Sequence, residues 1–139
     1  MADLGRVTVY DSRIAEMCFP GGDVYRYTRK KTTEVKALAI IYAPKDTGVL
    51  AGSMRSSVTP VRGIGGWGSL GSVTCGAYYG EWVHDGTGIY AGNGYIYPIY
   101  GKYMRFFWKK LGRRVKAKRV AGQPAQPFLT DALYDVMGV

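Results

Sequence analysis

The chain has 139 residues and a mass of 15.3 kDa, so it is long enough to bury the core of one domain and too short for two. With 47% hydrophobic and 21% charged residues, its composition excludes a disordered chain, and no stretch reaches the roughly 20 apolar residues of a membrane span. The formal net charge is +9, and nine of the 19 basic residues lie in residues 102–119, which predicts an acidic partner, either a protein or a nucleic acid.

The N-terminal sequence and the cysteines predict a protein of a reducing compartment. The opening residues MADLGRVTVYDSR lack the apolar core of a signal peptide, so we expect the protein to be made and kept in the cytoplasm. Cys18 and Cys75 are far apart and show no metal-ligand spacing. We therefore expect free thiols, with no metal and no cofactor.

The first predicted elements are an N-terminal arm and a long helix. Val7 and Val9 alternate, which predicts an edge strand or an arm reaching a neighbour, and a short helix follows from Asp11. From Asp23 as the N-cap, an amphipathic helix of about five turns runs to Pro44. Its apolar stripe consists of Val24, Tyr27, the Lys31 stem, Val35, Leu38 and Tyr42, and Ala37, Ile40 and Ile41 widen it towards the C-terminal end.

The next segment predicts two strands joined by a loop. Asp46 or Thr47 caps a short turn of helix, and residues 54–61 then form a strand rich in Ser, Thr and Val. Residues 63–71 contain so many glycines that they predict a loop or a long hairpin connection, with Trp67 and Leu70 exposed in a lone subunit. Residues 72–79 return as the second strand.

The C-terminal part predicts a hairpin and a closing helix. Residues 89–100, IYAGNGYIYPIY, form an aromatic loop, and residues 103–110 and 113–120 form the two strands of the hairpin. After a Pro-rich link, Pro127 begins a terminal helix with one apolar stripe, formed by Phe128, Leu129, Ala132, Leu133 and Val136.

Together these elements predict a single α+β domain. Residues 1–22 form an arm and a short helix, and residues 23–139 form the core. The long N-terminal helix and the C-terminal helix pack on a mainly antiparallel sheet of about four strands, with long glycine-rich and aromatic loops.

Few residues suggest catalysis. His84 is the single histidine, and Glu81, His84 and Asp85 could meet on one helical turn as a small catalytic centre. A histidine beside a Gly-Thr-Gly turn is more typical of a local hydrogen-bond network, and the glycine series from Gly86 lacks the Gly-Lys-Ser/Thr ending of a phosphate-binding loop. We therefore predict no catalytic residues, no metal-binding residues and no cofactor-binding residues, and regard an enzyme as the weakest of three hypotheses.

The basic hairpin is the basis of the nucleic-acid hypothesis. Basic and aromatic residues occur together here, in a composition typical of surfaces that bind phosphates and stack on bases. Because neighbouring residues of a strand point to opposite faces, Phe106 and Trp108 are separated from Phe107, and one of the two sets is expected in the core. The predicted basic surface consists of Lys102, Arg105, Lys109, Lys110, Arg113, Arg114, Lys116, Lys118 and Arg119.

Three stretches of the chain jointly resemble a known family. Residues 43–53, APKDTGVLAGS, are similar to a Pro-x-Asp-Thr-Gly-x-Leu-x-x-Ser segment. Residues 78–88, YYGEWVHDGTG, are similar to a Tyr-Ala-x-Tyr-Val-Glu-x-Gly-Thr pattern, with His84 where an acid is commoner. Residues 119–133, RVAGQPAQPFLTDAL, are similar to a basic strand, a Pro-rich link and a Pro-Phe-Leu-x-x-Ala-Leu helix. These segments, in this order, resemble the tail-completion or tail-component family of siphophages, which includes minor tail and head-tail joining proteins.

The resemblance implies a structural protein of the virion. Its subunits assemble in the host cytoplasm as a ring, with a hexamer favoured over a dodecamer, at the neck of a long-tailed phage. The ring lies between the head connector or stopper and the tail terminator or tail tube, and DNA passes through it without sequence readout. The residues expected at subunit or partner interfaces are Trp67, Leu70, Trp82, His84, Tyr90, Tyr95 and Tyr97.

Overall fold

A computed structural model describes residues 9–45 and 48–138 of the chain. Over these residues the helices are α1 (Asp11–Cys18), α2 (Asp23–Tyr42), α3 (Val49–Gly52), α4 (Gly80–Asp85) and α5 (Phe128–Met137), with short 3₁₀ turns at Gly88–Ala91 and Lys109–Leu111. The strands are β1 (Met54–Gly63), β2 (Gly66–Cys75), β3 (Met104–Trp108) and β4 (Arg113–Ala117). The predicted arm at Val7 and the predicted cap at Asp46 or Thr47 lie outside the described residues.

The predicted fold class is confirmed, since helices combine with four antiparallel strands. The strands form two separate hairpins, β1 with β2 and β3 with β4. The C-terminal helix α5 packs mainly on α2, and α2 in turn covers the β1–β2 hairpin. Helix α2 is therefore the element on which both the first hairpin and the closing helix pack.

Helix α2 has the predicted bounds to within one residue, but its buried face differs from the prediction. The helix begins at Asp23, which lies in its first turn rather than at the N-cap. Its buried residues are Thr32, Val35 and Ala39, whereas Ile41, predicted to widen the apolar stripe, is exposed. Small side chains face the core because they let the hairpin approach the helix closely, and Ile41 lies about 180° away from Thr32 around the axis.

The prediction of a loop at residues 63–71 is wrong. Strands β1 and β2 pair without interruption from Met54 with Cys75 to Gly63 with Gly66, so the turn is only Ile64 and Gly65. Glycine is needed within β2, because a Cβ at Gly71 would overlap Thr32 Oγ1 of α2. A glycine inside a strand marks such close approaches as well as loops.

The hydrophobic core is small and joins elements distant in sequence. Its buried residues are Val35, Ala39, Ala43, Leu50, Met54, Phe128 and Ala132. Phe128 is its largest side chain and is only 2% exposed. It lies in one buried cluster with residues of α2, α3 and β1, which holds the start of α5 in the core.

Replacing Gly71 by alanine should destabilise the fold, because the added methyl group overlaps Thr32 and must separate α2 from β2. We expect a loss of about 1–3 kcal/mol in the free energy of unfolding, measured by chemical denaturation. Gly68→Ala is the matched control, since the nearest atom to a Cβ there is Val61 Cγ2 at 3.9 Å. Equal stability of the two variants would refute this account of the packing.

Candidate functional site

The link that follows the basic hairpin is held by backbone hydrogen bonds. Thr87 N–H donates to the Gln123 carbonyl at 2.9 Å, Ile89 N–H donates to the Ala121 carbonyl at 2.9 Å, and Gln126 N–H donates to the Val83 carbonyl at 2.9 Å. We call this pairing of residues 83–89 with residues 121–126 the clasp. It joins the second and third of the stretches that carry the family resemblance.

Two glycines make the clasp possible. Gly88 has a φ of +63° and Gly122 a φ of +101°, and a Cβ on either would collide with a backbone carbonyl of the opposite segment. The Thr87 hydroxyl also accepts a hydrogen bond from Gln123 N–H at 2.9 Å. Both glycines thus belong to a tight backbone contact.

His84 joins α4 to α5. Its Nδ1 lies 2.6 Å from Asp85 Oδ1, its Nε2 lies 3.1 Å from Thr130 Oγ1, and its ring stands edge-on to Phe128 with centroids 5.5 Å apart. A hydroxyl, an imidazole and a carboxylate in this order also occur in hydrolase triads. Here Asp85 is exposed, so water screens its charge. Neither His84 nor Asp85 lines the apolar groove between α2, β2 and α5. The geometry fits the predicted local network.

The leucine and the aromatic residues predicted at an interface fall into two groups. Leu70, Trp82, Tyr90, Tyr95 and Tyr97 are exposed, with both Leu70 and Trp82 at 56%. Trp67, which was expected to be exposed, is half-buried within its own chain. Its ring packs on Phe19 with centroids 5.3 Å apart because β2 extends through this segment and brings it against the end of α1.

The β3–β4 hairpin has one half-covered apolar face and one exposed basic face. Met104 and Phe106 lie opposite Ala117 and Val115 on the first face. On the second face Arg105 lies opposite Lys116 and Phe107 lies opposite Arg114, and all four are exposed.

The prediction that one aromatic set of this hairpin lies in the core is wrong. Phe107 is 58% exposed and Trp108 is 46% exposed. Within residues 9–45 and 48–138, no other helix or strand packs extensively on β3 or β4. The hairpin thus leaves an aromatic side chain exposed on each face, and Phe107 lies among the basic residues.

Aromatic rings accompany two of the cations. Lys116 Nζ lies 4.0 Å from the centre of the Tyr103 ring, and the Arg119 guanidinium lies 4.1 Å from the centre of the Tyr95 ring. Such contacts stabilise the cations without neutralising them. Leaving Lys109 aside, no basic residue of the predicted surface forms an ion pair within the described part of the chain.

An apolar groove of about 390 Å³ opens between α2, β2 and α5. Its apolar lining includes Tyr27, Val35, Val73, Leu133 and Met137. The groove could not be predicted from the sequence, because its walls come from three separate elements. The one available signal was the apolar stripe of α5, of which Leu133 remains exposed.

Leu133, Tyr134 and Met137 form an exposed ridge along α5. Two carboxylates, Asp131 and Asp135, lie on the side of this ridge away from the groove. Tyr42 donates a hydrogen bond from its hydroxyl to Asp135 Oδ2 at 2.5 Å. That bond, assisted by desolvation and by the charges of both carboxylates, raises the pKa of Tyr42 because it favours the protonated phenol. Helix α5 contains no basic residue, so its outer side is acidic.

The accessible surface of the chain is large for its mass. It measures 10733 Å², whereas a compact monomer of 15.3 kDa has roughly 7,000 Å². Only eight apolar residues among the described ones are buried. The described residues contain no helix with the length and hydropathy of a membrane span, and no group of three metal-binding side chains.

Comparison of the chain with protein-family models, with curated protein sequences and with solved structures finds no match. The likeness to the siphophage tail-completion family therefore rests on the three sequence stretches alone.

Replacing Gly122 by alanine should open the clasp, because the added Cβ meets the Thr87 carbonyl. We expect faster hydrogen exchange at the Thr87 and Ile89 amides, measured by NMR. Gly92→Ala is the control, since Gly92 also has a positive φ, +76°, but a Cβ there meets nothing within 4 Å. Both variants carry a backbone strain of about 1–3 kcal/mol, so the difference in local exchange reports the collision. Unchanged exchange in Gly122→Ala would contradict the clasp.

Proposed function

We propose that this chain is a non-enzymatic structural subunit of a long-tailed phage virion. It forms a homo-oligomeric ring, with six copies favoured, at the neck or head-proximal end of the tail. The ring joins the head connector or stopper to the tail terminator or tail tube. The observation that carries the proposal is the large amount of surface, much of it apolar, that a single copy leaves in contact with water.

The size of this surface fits a subunit with two partners. The excess over a compact monomer is roughly 3,500 Å², while one side of a standard interface buries roughly 800 Å². A ring subunit uses two such sides, and obligate assemblies bury more. Exposed apolar side chains on α5, on the β3–β4 hairpin and in residues 89–100 supply the surface for these contacts.

The three stretches that resemble the tail-completion family also lie together. Leu50 of the first stretch shares the core with Phe128 of the third. The second stretch pairs with the third through the clasp and through His84 and Thr130. Segments separated by up to about 80 residues thus form one structural unit, which supports reading them as parts of a single pattern.

A second candidate is a nucleic-acid-binding module, and the exposed basic face of the β3–β4 hairpin favours it. Phe107 lies among Arg105, Arg114 and Lys116, an arrangement suited to stacking on a base while contacting phosphates. The face is small, however, and its second exposed ring, Tyr103, already packs against Lys116, with Nζ 4.0 Å from the ring centre. Contact with DNA inside a ring would use the same charges without base recognition.

The molecular mass in solution should separate the two candidates. We expect the purified chain, measured by sedimentation and native mass spectrometry, to form one discrete closed oligomer as its concentration rises, or to do so once connector or tail-tube subunits are added. A chain that remains monomeric under all of these conditions would refute the ring.

Binding to duplex DNA at several salt concentrations completes this comparison. The ring proposal expects weak binding by the isolated subunit. Tight binding by a monomer, with log K falling by about 0.9 per phosphate contacted for each tenfold rise in salt, would establish the nucleic-acid module instead.

A further inference from the structure

We propose that the basic face of the β3–β4 hairpin of one copy docks on α5 of the next copy of this chain. Phe107 enters the apolar groove beside α5, while Arg105, Arg114 and Lys116 meet the carboxylates of Asp131 and Asp135. The inference rests on the proposed ring and identifies which two surfaces of the chain form its contact.

The groove and the ridge of α5 form a receiving surface. On one side of the exposed ridge, Leu133 and Met137 line the groove. On its other side, Tyr134 lies next to the two carboxylates. The one basic residue in the groove lining, Lys31, is neutralised by Glu34, with Nζ and Oε2 3.2 Å apart. The receiving surface therefore has an apolar groove on one side of α5 and negative charge across the helix from it.

The hairpin has the complementary pattern. Phe107 is a large exposed aromatic side chain with cations around it, as in the anchors that dominate protein interfaces. Arg105 and Lys116 lie directly opposite each other, and like charges in this position destabilise a strand pair. Within the described residues no acid of the same subunit pairs with Arg105 or Lys116, whereas an acidic neighbour would supply one.

The two surfaces belong to different parts of the chain, so in a ring each copy offers its hairpin to one neighbour and its groove to the other, which is a head-to-tail contact. A head-to-tail contact closes into a ring when its rotation divides a full turn, while a contact of one surface with itself yields only a dimer. The hairpin does not pack on α2 or α5 of its own copy. Each groove is thus available to the hairpin of a neighbour.

Charge reversal tests this pairing. Arg105→Glu/Arg114→Glu and Asp131→Lys/Asp135→Lys should each lose the oligomer at concentrations where the wild type is assembled. An equal mixture of the two variants should regain it, because every hairpin then finds a groove of opposite charge in an alternating ring. Arg55→Glu/Lys45→Glu is the control, with the same change in net charge at two exposed residues outside both surfaces.

The fold of these variants is checked by circular dichroism and thermal unfolding. Arg105→Glu places an acid opposite Lys116 and should leave the hairpin at least as stable. Phe107→Ala tests the anchor independently and should raise the dissociation constant about tenfold or more, whereas Trp108→Ala, on the opposite face, should change it little.

The outcomes distinguish this inference from the ring itself. If the wild type assembles and the Arg105→Glu/Arg114→Glu variant assembles equally well, or if mixing the two monomeric variants restores nothing, the docking is wrong and the ring stands on other contacts. If the wild type never assembles, the proposed function fails and the docking fails with it. If the wild-type chain instead binds DNA tightly as a monomer, the charges of its hairpin serve a nucleic acid and the docking is wrong.

Discussion

Backbone hydrogen bonds between residues 83–89 and residues 121–126 hold the most distinctive surfaces of this chain in a fixed relation. The basic hairpin enters the clasp on one side, and α5 leaves it on the other. Each bond contributes only about 1 kcal/mol, but breaking it would leave backbone groups without partners where the segments touch. Gly88 and Gly122 allow this contact, so the positions of the hairpin and of the acidic helix depend on two residues without side chains.

A small core explains why assembly matters for this protein. The buried cluster contains alanines at three of its seven positions, and side chains as large as Phe107, Leu133 and Met137 remain in water. Burying apolar surface contributes roughly 25 cal/mol per Å², so an oligomer that covers this surface stabilises its subunits as well as joining them. Stability and assembly are then linked, and the concentration of the chain affects both.

Local sequence patterns predicted much of the fold. The spacing of apolar residues and Pro44 gave the bounds of α2, and the turn at Gly112 located the β3–β4 hairpin. The extension of β2 was missed because glycine suggests a loop when its neighbours in space are unknown, and Gly71 is required by Thr32 of another element. The groove was missed for the same reason, since no single segment contains its lining.

The candidate surfaces were predicted in part. The charge of residues 102–119 was evident from the sequence, and the structure places Arg105, Arg114 and Lys116 on one exposed face. The aromatic residues were harder to assign, because alternation predicts two faces and cannot say whether either one is covered. Trp67 was covered by Phe19 of its own chain, whereas Phe107 was left exposed.

Hydroxyl-radical labelling at rising protein concentration tests most directly whether exposed apolar surface is buried between copies. Mass spectrometry would follow the labelling of Phe107, Leu133 and Met137 in monomeric and assembled fractions. The account predicts that all three are labelled in the monomer and protected together in the oligomer. Equal labelling in both fractions would contradict it, because the oligomer would then be formed without the surfaces that the single chain leaves exposed.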